Sequence, residues 1–325
     1  MKTCRLILSS ICLFLALIGT PAIAAEYPDR PIKLIVGFPP GGSTDVLGRV
    51  IGQALGKELG GTVIVENKGG ASGTIGANIV AKSKPDGYTL LVTVEASQVR
   101  GEALNANLPY DQRKDFTYIR KLAKQRNLLL INPALPIDSL KDLIAYAKAN
   151  PGKLNYGGTI GATSHIGGTI FNALNDTNIT FISYPGGAQP ITDLMSGVVQ
   201  VGFFTESTVA GHVKAGKLKP LAITANQRSP SFPSLPTTAE AGGKPMDISP
   251  WFGIAGPAGM PADVVRKIGA ALDKIESNPE FMAQLDTLGA FAVKGTTVES
   301  YTKEVDSEIN FWNKWAKDNA SQIPR

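Results

Sequence analysis

The chain has 325 residues, with 32 Lys and Arg against 27 Asp and Glu, two histidines and two cysteines. A formal charge of +5 on that length, with no basic run interleaved with aromatics, excludes a nucleic-acid-binding signature. The length points to two domains, and with both cysteines in the first twelve residues, two histidines and no cysteine in the rest of the chain speak against a catalytic zinc site.

Lys2 and Arg5 precede an apolar run at 6–19, and Ala22 and Ala24 follow in the small-residue spacing of a cleavage site. Residues 1–25 are expected to be a secretory signal peptide, cut after Ala24 or Ala25. The run is shorter than the ~20 residues a membrane span needs. Both cysteines, Cys4 and Cys12, lie inside it. The exported protein would then lack thiols and disulfides, as a domain large enough to bury its own core can in a bacterial periplasm. Losing Lys2 and Arg5 takes the charge from +5 to +3.

From Tyr27 onward, short β-branched runs alternate with helical patterns. Strands are predicted at 32–36, 62–66, 88–94, 128–132, 154–157, 180–184, 199–204 and 220–225. Helical stripes are carried by Val46, Leu47, Val50, Ile51, Ala54 and Leu55, then by Leu140, Leu143, Ile144 and Ala147. His165, Ile166, Ile170 and Leu174 form another, and Ile191, Leu194 and Met195 a fourth. This alternation predicts parallel sheets with helices on their faces. Segment 228–243, rich in Pro and Ser, reads as a surface connection, and 251–259 as a further apolar run. Pro261 opens a helix at 261–278. Val305, Ile309, Trp312 and Ala316 make one apolar stripe on a charged last helix, with Trp312 and Trp315 read as packing residues. The order suits two lobes linked more than once.

Three Gly- and hydroxyl-rich turns each join a predicted strand to a predicted helix. The first is "GFPPGGSTD", 37–45, with Phe38, Pro39, Gly41, Gly42, Ser43 and Thr44. Thr44 or Asp45 is placed to cap the following helix. A helix start has unpaired N–H groups and partial positive charge, and Gly41 and Gly42 would let a ligand approach closely. The turn is either a seat for a carboxylate or phosphate or a tight strand-to-helix connection. The second is "YGGTIGATSHIGG", 156–168, with Thr159, Thr163, Ser164 and His165. The third is "YPGGAQP", 184–190, with Gly186, Gly187 and Ala188. Ligands of open α/β sheets bind at carboxyl ends of strands. No Walker A sequence, no G-x-G-x-x-G and no G-x-S-x-G elbow occurs, and no carboxylate pair stands out. Ser164 and His165 are adjacent in sequence, which does not make them a nucleophile and base, and His212 reads as a helix-face residue. Binding is therefore preferred to catalysis, with no metal.

"YPDRPIKLIVGFPPGGSTD" resembles the opening of the periplasmic solute-binding receptors of tripartite tricarboxylate transporters, the Bug family. "KPDGYTLLV", "GATSHIGG", "YPGGAQPITDLMSGVVQVGF", "AGKLKPLAIT", "FPSLPTTAEAG" and "WFGIAGPAGMP" follow in the order of that family. The resemblance implies an α/β, two-lobed periplasmic-binding-protein fold (Venus flytrap, type II) with two chain crossings. Lobe 1 would take 26–126 and 252–325, lobe 2 127–251. It implies a small carboxylate in the interlobe cleft, held by backbone N–H groups, hydroxyls and water from 38–44 and 159–165, with 186–188 beside them. Thr93 and Ser97, at the end of the third predicted strand, join the candidate set. The ligand would pass to an integral-membrane permease. No cofactor, no nucleic acid and a monomer are expected; a ligand-presenting sensor subunit or an α/β enzyme are the alternatives.

Two positions depart from the family pattern. Gly37 stands where many relatives have Pro. Phe204 stands where amino-acid-binding relatives carry an Asp for the ligand's amino group, and could pack on a ligand body instead. Glu206 is either a substitute for that Asp or a charge at a helix start. A carboxylate without a cationic amine follows: a di- or tricarboxylate or an aromatic acid.

Overall fold

The computed structural model describes residues 27–104, 107–184 and 188–318. The signal-like segment 1–25 and two candidate site residues, Gly186 and Gly187, lie outside the described residues.

β1 (Ile32–Val36) is aliphatic and almost wholly buried, and it leads through the 37–42 turn into α1 (Ser43–Leu59). α1 buries Leu47, Ile51 and Leu55 and closes at Gly60, whose φ of 65° is the left-handed conformation suited to a helix end. A Cβ on Gly48 would meet Val36 at 2.8 Å, so glycine lets the helix lie close on the sheet. β2 (Val63–Asn67), α2 (Thr74–Ala81) and β3 (Thr89–Val94) follow, with β1 parallel to both β2 and β3. Two short helices, α3 (Glu95–Gln98) and α4 (Gly101–Leu104), precede β4 (Phe116–Gln125).

Beyond Arg126 the chain enters a second sheet through β5 (Asn127–Ile131). α5 (Leu140–Ala149), β6 (Asn155–Gly158), α6 (Thr163–Asn175), β7 (Thr180–Ser183) and α7 (Ala188–Ser196) come next. β8 (Val201–Thr205), α8 (Glu206–Lys214) and β9 (Lys219–Ile223) complete this lobe. The chain returns through β10 (Trp251–Pro257), then α9 (Ala262–Ile275), α10 (Pro279–Thr287), β11 (Ala290–Ala292) and α11 (Val298–Asp318). The strand orders are β11-β4-β10-β3-β1-β2 and β7-β6-β8-β5-β9. Two α/β lobes are thus joined by two crossings.

The eight predicted strands are all present, displaced by at most two residues at an end. The expectation of purely parallel sheets is corrected: both sheets are mixed. β10 is antiparallel to β3 and β4, and β5 is antiparallel to β8 and β9. β10 arrives from the second lobe at the carboxyl end of β3, pairing Phe252 with Val94, and enters the sheet in the opposite direction. Segment 228–243 is more than a surface connection. Ile223 N–H donates to the Pro236 carbonyl and Thr238 N–H to that of Ile223, which extends the second sheet beyond β9 and buries Thr237 and Thr238.

Each lobe has its own core, and one further cluster joins them. Ile166 of α6 is buried with Trp251 of β10 and with Tyr301, Val305, Ile309 and Trp312 of α11, while Trp315 packs at its edge. The stripe read from sequence on the last helix therefore faces this seam.

Candidate functional site

α1 begins at Gly42, in extended conformation, and no side chain caps it. Neither Thr44 nor Asp45 takes the capping role expected of it. Asp45 instead turns back onto the preceding turn and is buried there: Oδ2 accepts the Gly41 N–H at 2.8 Å and Oδ1 accepts from Asn67 Nδ2 at 2.9 Å, with Arg49 at 2.9 Å. Burial pushes its carboxyl up, but these donors outweigh that and hold it below the usual range. Asn67 also donates to the Phe38 carbonyl at 3.0 Å, which pins the turn. A Cβ on Gly73 would meet the Phe38 ring at 2.9 Å and Ser97 Cβ at 3.4 Å, so Phe38, Gly73 and Ser97 converge. Pro39, Gly41 and Gly42 are exposed, Ser43 is half-buried and Thr44 is buried.

In the second lobe, α6 begins at Ala162 and is also without a side-chain cap. Thr159 N–H donates to Ser164 Oγ at 3.3 Å, and Gly161 N–H donates to His165 Nδ1 at 3.2 Å. The hydroxyl and the imidazole therefore each turn back onto their own loop. Thr159 and Thr163 remain half-buried at its rim. His165 is wholly buried, with its ring 4.4 Å from that of Phe181. Burial, and then the charge of Arg100, bring its pKa down to about 4, so it is neutral, and the Gly161 donor leaves the proton on Nε2. Ala188 is exposed at the start of α7.

Helices α2 and α8, which also start at strand carboxyl ends, lack side-chain caps, as does α9 at Pro261. α5 and α10 are capped, by Ser139 and Asn278. First-turn N–H groups without a side-chain partner thus stand at the carboxyl ends of β1 and β6, one in each lobe. These ends adjoin. A cavity of about 190 Å³ has Glu95 and Arg100, flanking Ser97, on one wall and Ile166, next to His165, on another.

Other sequence candidates are engaged elsewhere. Thr93 is buried and shares a 2.7 Å hydrogen bond with the Tyr301 hydroxyl. Ser97 keeps its place beside Phe38 and Gly73, with its carbonyl held by Tyr110 Oη at 2.7 Å and Gln112 Nε2 at 3.0 Å. Phe204 is 5 % exposed and packs in the second-lobe core with Leu128, Leu194 and Val209. Glu206 is buried, and its Oε1 accepts from Ser229 Oγ at 2.7 Å, tying the 228–243 segment to α8. Sequence reasoning passed over Glu95, Arg100 and Trp251, which meet beside the cavity. A carboxylate directly after the apolar strand "TLLVTV" was the signal that could have flagged them. Among the described residues no group of three His, Cys, Asp or Glu could hold a metal ion.

Residues 47–318 match the family described as tripartite tricarboxylate transporter family receptor. The chain belongs to that family. Among receptors of this kind, it is 33 % identical to Protein BugT of Bordetella pertussis over 98 % of both chains. It is similar to solved structures titled "R. palustris Rpa4515 with adipate" (32 % identity, TM-score 0.81, 90 % of this chain and 97 % of that one) and "Structure of periplasmic binding protein BugD" (32 %, 0.77, 90 % and 98 %). MatC from Rhodopseudomonas palustris, "with bound malate", is 29 % identical with a TM-score of 0.77 over 89 % of this chain and 100 % of that one. The two mixed sheets described above are therefore the lobes of a periplasmic solute-binding receptor, and the family is one of receptors rather than enzymes.

Proposed function

We propose that this receptor captures a small dicarboxylate between its lobes in the periplasm and delivers it to the membrane permease of a tripartite transporter, without catalysing a reaction. The observation that carries this reading is the pair of helix starts without side-chain caps, α1 in one lobe and α6 in the other, each offering first-turn N–H groups at a strand's carboxyl end. Ser43, Thr44, Thr159, Thr163 and Ser164 add hydroxyls around them. Phe38, Pro39, Gly41 and Gly42 would form the first-lobe wall, with Gly186, Gly187 and Ala188 beside the second. The adipate and malate of two similar structures support a dicarboxylate. The aromatic-acid alternative drew on Phe204, whose ring is engaged in the core.

The lobe limits 26–126 with 252–325 and 127–251 belong to this reading, as do a cleaved signal at 1–25 and action as a monomer. Membership of the two sheets supports these limits except at Trp251, which pairs with Lys124 as the first residue of β10 and so goes with the first-lobe sheet. Closure would bring both helix starts onto one acid. A ligand shifts the open–closed balance only by its difference in affinity for the two forms. Excluding water strengthens each hydrogen bond it makes.

A thermal-shift screen with adipate, succinate, malate, citrate, benzoate, aspartate and glutamate tests the proposal. Stabilisation by a dicarboxylate lacking an amine is expected, because a ligand bound only to the folded state raises Tm. Stabilisation by aspartate or glutamate alone would contradict it.

A further inference from the structure

Glu95 sits where the first-lobe loops, the returning crossing and the interlobe cavity meet. Only Ser249 and Pro250 separate Ile248, whose N–H donates to Thr224 in the second lobe, from Trp251, the first residue of β10. The last pair joining β10 to β3 is Phe252 with Val94. The next in register would be Trp251 with Glu95. The Glu95 carbonyl is already taken by the N–H groups of Val99 and Arg100, because α3 begins there. Its carboxylate continues the pairing instead: Oε1 accepts the Trp251 backbone N–H at 2.5 Å.

The surroundings make this carboxylate unusual. It is 6 % exposed. Arg100, on the same segment, faces it at 3.8 Å. Glu308 of α11 accepts from the Trp251 indole N–H at 3.0 Å, so one tryptophan is held between two acids. Lys121 of β4 lies 3.8 Å from Glu308 and over the Trp251 ring. Lys124 and Asp247, paired at 3.6 Å, complete the charged wall of the cavity, and the charge of Arg100 also acts on the neutral His165 of α6. Burial raises the Glu95 carboxyl to about 7, with Arg100 opposing and Glu308 adding to the rise.

We propose that Glu95 is a positioning residue that clamps the re-entering strand to the candidate site, and that its protonation loosens the hinge. A hydrogen bond to a charged acceptor is roughly twice as strong as a neutral one. Charged Glu95 therefore holds Trp251 firmly against α3, the helix that carries Ser97. Neutral Glu95 holds it less, and Arg100 loses its nearest counter-charge. The partner crossing feels this directly, because Gln125 N–H donates to the Pro250 carbonyl at 2.8 Å.

Backbone amide NMR of the full mature chain between pH 5.5 and 8.5, without ligand, tests the clamp. The Trp251 amide and the amides of Gln125 to Asn127 are expected to follow one shared titration. Glu95→Gln should lack it and match the acid form of the wild type at every pH. A flat Trp251 amide, flat crossing amides, or the same titration in Glu95→Gln would each overturn the proposal. Arg100→Gln keeps the carboxyl but removes its cation, so the midpoint should move up; an unmoved midpoint would also overturn it. The effect on capture rests on the carboxylate reading above. Adipate, followed by calorimetry, is expected to bind about fivefold more weakly at pH 6 than at pH 8 in the wild type, and within about twofold in Glu95→Gln. An equal pH dependence in both proteins overturns the coupling to capture. Failure of adipate to bind at any pH overturns the ligand reading, while the amide titration still decides the clamp.

Discussion

Gly42 has an ordinary φ of −79°, and a Cβ there would have only the Pro39 carbonyl, 3.8 Å away, within reach. Gly42→Val is therefore expected to fold with Tm within about 2 °C of the wild type, while its branches cover the first-turn N–H groups of α1. Dicarboxylate affinity, by calorimetry, should fall about tenfold or more. Ser164→Ala removes the acceptor of the Thr159 N–H and should cost about 1 kcal/mol, roughly fivefold in affinity, without unfolding the chain. His165 gives a pH signature. Its folded pKa of about 4 lies below the ordinary 6.5, so the folded state prefers the neutral ring. Its contribution is complete above pH 6.5 and is lost as pH falls toward 4. The Tm of His165→Gln should therefore decline less than that of the wild type between pH 7 and 4.5. The hydroxyls and glycines of the two main turns were legible in the sequence because each sits between a periodic strand and a periodic helix. The roles of Phe204 and Asp45 were not. Phe204 is set by which face of β8 meets the core, and Asp45 by Asn67, 22 residues away.

Among the elements, β4 and α11 show where local patterns fail and succeed. β4 carries Arg120, Lys121 and Lys124 in a ten-residue strand, so its alternation is broken by charges. Each has its partner far along the chain: Asp273, Glu304 with Glu308, and Asp247. Lys121 is 1 % exposed, a position sequence alone assigns to an apolar side chain. The direction of β10 was equally hidden, because it depends on where the returning chain meets β3. α11 needs no such information: its stripe at i, i+4 and i+7 reads directly as the face packed on the lobe seam. Ile309→Ala should cost about 2–5 kcal/mol in chemical denaturation, since Ile309 is fully buried there. A cost under about 1 kcal/mol would mean that the helix is not docked as described.

At the level of the whole molecule, two lobes with their own cores are joined by two crossings, Gln125–Asn127 and Ser249–Trp251, which the proposed closure would bend. The buried seam of Ile166 with Trp251 and Trp312 lies at the returning crossing, where Trp251 begins β10. The central claim is that first-turn amides from α1 and α6 grip the same acid. A crystal structure of the chain with the dicarboxylate that stabilises it most tests this directly. The expected result is a carboxylate within hydrogen-bond distance of N–H groups at 43–44 or 163–164, with atoms of both lobes on one ligand. A ligand bound through one lobe alone, or away from both helix starts, would contradict it.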